Sequence, residues 1–131
     1  MHIGMIVGIG PAATDFYYRY LISAMARRGH DLQLTMAHAD TPTLLRNQTQ
    51  GNEAAQVAIY LALTQRLMSS GIDCIAVTSI AGHFCIEAFK KVSPVPVIDA
   101  AQPRGRPPRI CLFEPEGRVS RRPCPATSWW R

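Results

Sequence analysis

The 131-residue sequence has no apolar run close to the ~20 residues that a membrane-spanning helix needs, so we expect no membrane association. No basic flank precedes its first apolar stretch, MHIGMIVGIG, which argues against a secretory signal peptide. Its four cysteines form no Cys-x-x-Cys pair, so we expect no metal site. Without an export signal, these thiols are expected to stay reduced. Together, these absences predict a cytoplasmic protein.

Lysine is absent from residues 101–131, and so is any regular hydrophobic period. This segment carries seven Arg and two Glu, whereas residues 1–100 carry seven Lys/Arg and seven Asp/Glu, so the segment supplies the whole net charge of +5. It also holds six of the ten prolines, a density that excludes a long helix. Because its basic residues include no Lys and follow no regular spacing, we expect an irregular Arg/Pro-rich tail, with nucleic-acid binding as a less favoured alternative.

Residues 1–100 alternate between two hydrophobic periods and form the predicted folded domain. Apolar runs typical of buried strands occupy 2–9 and 74–79, an alternating strand pattern occupies 32–37, and a fourth strand is predicted at 94–100. Apolar residues at helical spacing occupy 12–28, 53–69 and 82–92. This order predicts an α/β fold, a doubly wound four-stranded parallel sheet with helices on both faces.

In such sheets, ligands bind beyond the carboxyl ends of the strands, which draws attention to three loops. These loops are 8–15, 38–51 and 78–83, and the polar segment 38–51 is predicted to hold at most one short helical turn.

The first loop contains Gly-x-Gly-Pro-x-Ala between a strand and a helix, the position of a dinucleotide-binding turn. A dinucleotide site also needs an acid at the end of the second strand, where this chain has Ala37 and His38, with Asp40 two residues late. The glycines therefore serve either close packing or an anion site at the helix N-terminus, with Thr14 and Asp15 as candidate caps.

The other two loops offer polar candidates with two interpretations each. Ser79 is either a ligand-facing residue at the end of the third strand or an N-cap, with His83 four residues later in the following turn. Arg46 either binds a carboxylate or is a solvated charge. Cys85 is expected to be a small buried hydrophobic residue rather than a nucleophile.

Taken together, four segments resemble the aspartate/glutamate racemase family, the cofactor-independent amino-acid racemases. They are the opening IGMIVGIGPAATDFYYRYL, the second-strand loop HADTPTLLRNQTQGN, the strand and turn GIDCIAV-TSIAGH, and the closing strand PVPVIDA. The segments occur in the family's order and at its distances, and the resemblance covers residues 2–100.

The resemblance implies one lobe of a two-lobe fold and a chemistry that uses no cofactor, pyridoxal phosphate included. Members have two similar lobes that face each other across a cleft, and each lobe contributes one cysteine. One thiolate removes the α-proton, the other thiol returns a proton to the opposite face, and hydrogen bonds around the α-carboxylate stabilise the carbanion. The implied partner is a small-molecule carboxylate, and the implied activity is racemisation of aspartate, glutamate or a related small acid.

The segment TSIAGH departs from the family's Cys-Asn-Thr-Ala-His motif. Ser79 stands in place of the cysteine, Ile80, Ala81 and Gly82 replace the next three residues, and only His83 is kept. A serine hydroxyl has a far higher pKa than a thiol at ~8.5, so Ser79 is expected to donate a proton rather than to remove one.

Carried over by position, the resemblance assigns a catalytic residue and a substrate pocket. Ser79 is the expected proton donor. The expected substrate-binding groups are the backbone at Gly10, the side chain of Gln48 with Arg46 as its alternative, and Ile80, Ala81 and His83.

Nothing in residues 101–131 resembles the family's second lobe. No Gly-Cys-Thr-Glu-like motif occurs there, and neither Cys111 nor Cys124 has a matching context. Enrichment in Arg, Pro, Trp and Cys is typical of GC-rich DNA translated out of frame, so we hypothesise a truncated or frameshifted family member. We expect little or no turnover by the isolated chain, and self-association through its exposed cleft face. The alternative function is a non-catalytic small-anion or dinucleotide-binding module.

Overall fold

The structure is a computed structural model that describes residues 1–8 and 10–98. The predicted tail at 101–131 lies outside the described residues, with Cys111, Cys124 and the possible nucleic-acid contact. The end of the predicted fourth strand, residues 99–100, lies outside them as well.

The described chain contains four strands and four α-helices. The strands are β1 (His2–Val7), β2 (Gln33–His38), β3 (Cys74–Val77) and β4 (Val97–Ile98). The α-helices are α1 (Pro11–Arg27), α2 (Thr41–Thr49), α3 (Glu53–Met68) and α4 (Ile86–Val92), and a 3₁₀ helix spans Ile80–Cys85. Helices α2 and α3 follow each other between β2 and β3. No helix in the described part of the chain is long and apolar enough to cross a membrane.

The four strands form one parallel sheet in the order β2-β1-β3-β4, which confirms the predicted α/β fold. In the middle of the sheet, Met5 lies opposite Met36 on one side and Ala76 on the other. The chain leaves β1 toward one edge and then crosses back to β3, so the winding reverses between β1 and β3. Loops at such a reversal diverge above the sheet and leave a crevice at its carboxyl end.

The larger part of the core lies between the sheet and the helices α3 and α4. Ile6, Ile75 and Val77 point toward these helices from the central strands. Phe89 of α4 packs edge-to-face on Tyr60 of α3, with ring centroids 5.4 Å apart. The buried residues of α3 recur three or four positions apart, as a helix with one inward face requires: Gln56, Tyr60, Leu63, Thr64 and Leu67.

The opposite face of the sheet is covered by α1. Because side chains alternate along a strand, Ile3, Met5 and Val7 point to this face, and all three are buried. Leu21 and Met25 are the buried residues of α1. Helices therefore lie on both faces, and β1 is buried on both sides, as its continuous apolar run predicts.

The prediction that 38–51 is a loop with at most one short turn was wrong, because this segment contains the nine-residue helix α2. Asp40 is its N-cap and accepts a hydrogen bond of 3.0 Å from the backbone N–H of Thr43. Pro42 lies in the first turn, where a missing N–H costs nothing. These two signals start the helix although its composition is mostly polar.

The predicted helix 82–92 is divided in two, since the 3₁₀ helix Ile80–Cys85 precedes α4. The chain thus makes a tight turn directly after β3 before it becomes α-helical. This 3₁₀ helix contains three of the predicted site residues, Ile80, Ala81 and His83, and the fourth, Ser79, immediately precedes it.

Candidate functional site

The first loop is tied to the start of α2. Thr41 Oγ1 donates a hydrogen bond of 2.8 Å to the carbonyl oxygen of Gly8, and the N–H of Ala39 donates to the carbonyl of Val7 at 2.6 Å. A Cβ at Gly8 would lie 2.9 Å from the carbonyl oxygen of Ala39, a backbone atom that cannot move aside. Glycine at position 8 therefore allows close packing, one of the alternatives drawn from the sequence.

Gly10 begins α1 without a side-chain cap. Its φ of 81° lies in the left-handed region that favours glycine, and its carbonyl accepts hydrogen bonds from the N–H groups of Ala13 (3.0 Å) and Thr14 (3.3 Å). The predicted capping by Asp15 is absent, because its carboxylate pairs with Arg19 at 2.8 Å. The positive end of the α1 dipole thus faces the carboxyl edge of the sheet with no carboxylate side chain bound to it in the described structure.

Ser79 follows the end of β3 and is only 2% exposed. It holds the N-cap position of the 3₁₀ helix, with an extended backbone, but its side chain makes no capping hydrogen bond. Its Oγ is buried and has no hydrogen-bond partner among the described residues. Ser79 is therefore an N-cap by position only, and capping does not account for its hydroxyl.

The 3₁₀ helix folds back on the carbonyl oxygen of Ser79. The N–H of Gly82 donates to this oxygen at 3.0 Å, and Nδ1 of the half-buried His83 ring donates to it at 2.7 Å. Ile80, at the tip of the turn, is 74% exposed, and Ala81 is half-buried. The turn thus presents an apolar tip to solvent and keeps its polar groups inside.

Cys85, the last residue of the 3₁₀ helix, is fully buried, and its thiol lies 3.5 Å from the carbonyl oxygen of Gly82. Burial, and after it the negative charge of Glu53, raises the pKa of the Cys85 thiol to about 11. A thiol with this pKa stays protonated at neutral pH and is a poor nucleophile. Cys85 is therefore a small buried residue, as predicted from the sequence, rather than a nucleophile.

Arg46 and Gln48 lie on the exposed side of α2 rather than in a loop. Arg46 Nη2 donates to Thr43 Oγ1 at 3.1 Å, within the same helix. Asn47, between them, points inward and donates from Nδ2 to Oε1 of Gln56 at 3.0 Å. α2 packs against the 3₁₀ helix, and of these three residues only Asn47 faces the interior.

The structure therefore brings together part of the predicted site. Ser79, Ile80, Ala81 and His83 share one turn, and Gly10 follows the neighbouring strand β1 at the same edge of the sheet. A cavity of about 330 Å³ lies beside the first loop, and no predicted site residue lines it. Its lining comes from the β1 end, α1 and β2: Val7, Gly8, Pro11, Thr14, Asp15, Tyr18, Met36 and His38.

Three buried polar residues near the 3₁₀ helix were missed from the sequence: Asn47, Gln56 and Tyr60. Their signal is their spacing, because Gln56 and Tyr60 occupy positions on the apolar face of α3 where a hydrophobic residue is the usual choice. Among the residues that the structure describes, no three His, Cys, Asp or Glu side chains are grouped as a metal site requires.

Comparison with known proteins identifies a family for this chain. The model of the Asp/Glu/Hydantoin racemase family matches residues 6–105. The match includes the end of β1, the whole of β3 and the turns that follow these strands, where Gly10 and Ser79 lie. A comparison with curated proteins finds no match. Since the family model matches well over half of the sequence, the chain belongs to the Asp/Glu/Hydantoin racemase family.

Proposed function

We propose that the chain acts on aspartate, glutamate or a related small acid, as a racemase lobe that transfers a proton at the α-carbon without pyridoxal phosphate. In this proposal Ser79 donates the proton from its hydroxyl. The observation that carries it is the burial of Ser79 Oγ without a hydrogen-bond partner in the described structure. A buried hydroxyl in this state costs about 1–3 kcal/mol of folding free energy, so its presence needs an explanation other than stability.

The α-carboxylate of the substrate would bind at the carboxyl edge of the sheet. The uncapped N-terminus of α1 at Gly10 supplies backbone N–H groups and a positive dipole end. Ile80 and Ala81 present the backbone of the 3₁₀ helix, and Gln48 or Arg46 supplies a polar side chain from the solvent side of α2. His83 holds the carbonyl of Ser79 and so orients this turn.

Removal of the α-proton needs a base, and neither Ser79 nor Cys85 fits that role. The hydroxyl of Ser79 has too high a pKa to act as a base at neutral pH. The thiol of Cys85 stays protonated at neutral pH, because burial raises its pKa to about 11. We therefore propose that this chain by itself racemises its substrate slowly or not at all. We further propose that residues 1–100 are its functional domain, and that the protein is located in the cytoplasm, where its thiols stay reduced.

The experiment is a titration of the purified full chain with L- and D-aspartate, L- and D-glutamate and NAD, followed by NMR of the backbone amides. We expect the amino acids to shift the amides of Gly10 and of the 3₁₀ helix, and racemisation in D₂O to be slow or undetectable. Any racemisation should be lost in Ser79→Ala and kept in Ser69→Ala, which removes an exposed hydroxyl of α3's C-terminus. Rapid racemisation that survives Ser79→Ala contradicts the role of Ser79.

A non-catalytic small-anion-binding module is the second candidate, and the uncapped α1 terminus beside the cavity favours it. The dinucleotide version has less support. His38 ends β2 where a ribose-binding acid is needed, and the Asp40 carboxylate is already used as a cap. Hydrogen bonds from Thr43 hold the pKa of Asp40 below its usual range. Shifts on NAD addition, with none for the amino acids, would favour the dinucleotide module.

A further inference from the structure

A tyrosine from α3 reaches the turn that carries Ser79 from below. Tyr60 is fully buried, and its hydroxyl donates a hydrogen bond of 3.3 Å to the carbonyl oxygen of Gly82. Gly82 also contacts Ser79, because its backbone N–H donates a hydrogen bond of 3.0 Å to the carbonyl oxygen of Ser79. Tyr60 is thus connected to Ser79 through one residue.

Gly82 provides the space that this hydroxyl occupies. Its φ is not positive, so the backbone conformation does not require glycine. A Cβ at this position would collide with Tyr60 Oη, and it would lie 3.3 Å from Tyr60 Cζ and 3.6 Å from Leu44 Cδ1. The hydroxyl oxygen is therefore the main atom that excludes a larger residue at position 82.

We propose that Tyr60 is a positioning residue for Ser79, and that Tyr60 and Gly82 act as a matched pair: the hydroxyl holds the Gly82 carbonyl and thereby fixes the turn that carries Ser79. The significance of this pair for catalysis rests on the proposed role of Ser79, but the contact itself does not. His83 and Gly82 both donate hydrogen bonds to the carbonyl oxygen of Ser79. A displacement of Gly82 is therefore expected to change the positions of both Ser79 and His83.

The surroundings of Tyr60 keep its hydroxyl in the donor state. Gln56 and Cys85 lie near the hydroxyl, and Phe89 packs against the ring. Burial raises the pKa of Tyr60, the nearby Cys85 raises it further, and the Gln56 amide acts in the opposite direction with a smaller effect. The phenol therefore remains protonated through the neutral pH range and can donate to Gly82.

The test is a double-mutant cycle on the full chain with Tyr60→Phe, Gly82→Ala and the double variant, measured by urea unfolding. Gly82→Ala alone should lower the folded-to-unfolded ratio by about tenfold or more, because the added methyl group overpacks the site. In the Tyr60→Phe background the same substitution should cost less than about threefold, since only the 3.3 Å contact with Cζ remains tight. Equal costs in the two backgrounds overturn the matched pair.

Positioning is read out separately by amide NMR. Tyr60→Phe should shift the resonances of Ser79 and His83. The matched control is Thr64→Val, which removes another buried hydroxyl of α3. This hydroxyl donates to the carbonyl of Tyr60 at 2.7 Å, and its removal should leave both resonances in place. If Tyr60→Phe leaves them unmoved, or if Thr64→Val moves them equally, Tyr60 is structural only and the proposal fails.

The two proposals can fail independently. Coupling between Tyr60 and Gly82, with shifts at Ser79, supports the positioning role even if no amino acid binds. In that event the proposed racemase function fails alone. Should Gly82→Ala not fold by itself, recovery of a folded chain in the double variant supports the pair, and failure to recover overturns it.

Discussion

Thr41 Oγ1 lies 2.8 Å from the carbonyl oxygen of Gly8 and donates a hydrogen bond to it across 33 residues of sequence. This contact joins the loop after β1 to the first turn of α2. The two segments belong to different loops at the carboxyl edge of the sheet. The relative placement of the candidate carboxylate-binding elements therefore depends in part on one hydroxyl group.

Thr41→Val removes this hydroxyl and keeps the shape of the side chain. We expect the free energy of unfolding to fall by about 1 kcal/mol, because the half-buried carbonyl of Gly8 loses its side-chain donor. Urea unfolding followed by circular dichroism measures the change. The control is Thr49→Val, whose hydroxyl donates to the carbonyl of Leu45 within its own exposed helix turn. An equal loss of unfolding free energy in both variants would show that the Thr41 contact between the loops stabilises the fold no more than a hydrogen bond within one helix.

Phe89→Ala should be among the most destabilising substitutions in the described chain. Phe89 is fully buried and packs on Tyr60, so its removal leaves a cavity in the main core and costs about 3–5 kcal/mol. Phe16→Ala is the matched control, because Phe16 is 63% exposed on the outer side of α1. Its loss should change the unfolding free energy by less than about 1 kcal/mol. Comparable losses for the two would contradict the placement of the core between the sheet, α3 and α4.

Stability should decline at alkaline pH because of Cys85. In the unfolded chain a thiol loses its proton above about pH 8.5, whereas burial raises the pKa of Cys85 to about 11 in the folded chain. Between these values the unfolded state binds fewer protons, so the free energy of unfolding falls as the pH rises. The total loss is on the order of 2–3 kcal/mol by pH 11. Urea unfolding at intervals from pH 7 to pH 11 measures it.

In Cys85→Ala this pH-dependent decline should be much smaller, although the variant starts from a lower stability because of the lost packing. Burial also raises the pKa of Cys74, which is only half-buried, so Cys74→Ala should flatten the decline less. Tyr60 adds to the decline above about pH 10, since its pKa is raised as well. Identical slopes in the wild type and Cys85→Ala would show that the thiol does not titrate as described.

The order of strands and helices was predictable because each element has a hydrophobic period that tertiary contacts reinforce. α2 was not, because its start depends on the cap at Asp40 and on Pro42, and its inward face consists of only Leu44 and Asn47. Nine residues with two buried side chains leave too weak a period to recognise. The position of Arg46 and Gln48 on a helix, rather than in a loop, follows from this one missed element.

The candidate site was predictable as a set of loops but not as a set of contacts. A glycine at position 82 has no local signal, since its reason is the hydroxyl of Tyr60, 22 residues earlier in the sequence. The burial of Ser79 was equally hidden, because it results from the way the 3₁₀ helix folds back on the Ser79 carbonyl.

Ser79→Ala provides the sharpest test of the candidate site by stability alone. An ordinary N-cap serine stabilises its helix, and its replacement by alanine costs about 1 kcal/mol. The Ser79 hydroxyl makes no capping bond and is buried without a partner among the described residues, so its removal should leave the unfolding free energy unchanged or raise it by up to about 2 kcal/mol. The adjacent Thr78→Val is the control, because Thr78 Oγ1 donates to the carbonyl of Ile6 at 3.4 Å and its loss should be destabilising. A destabilised Ser79→Ala would mean that the hydroxyl serves the fold, whereas a more stable variant that no longer handles an acidic amino acid would show that the chain gives up stability to keep a proton donor at this position.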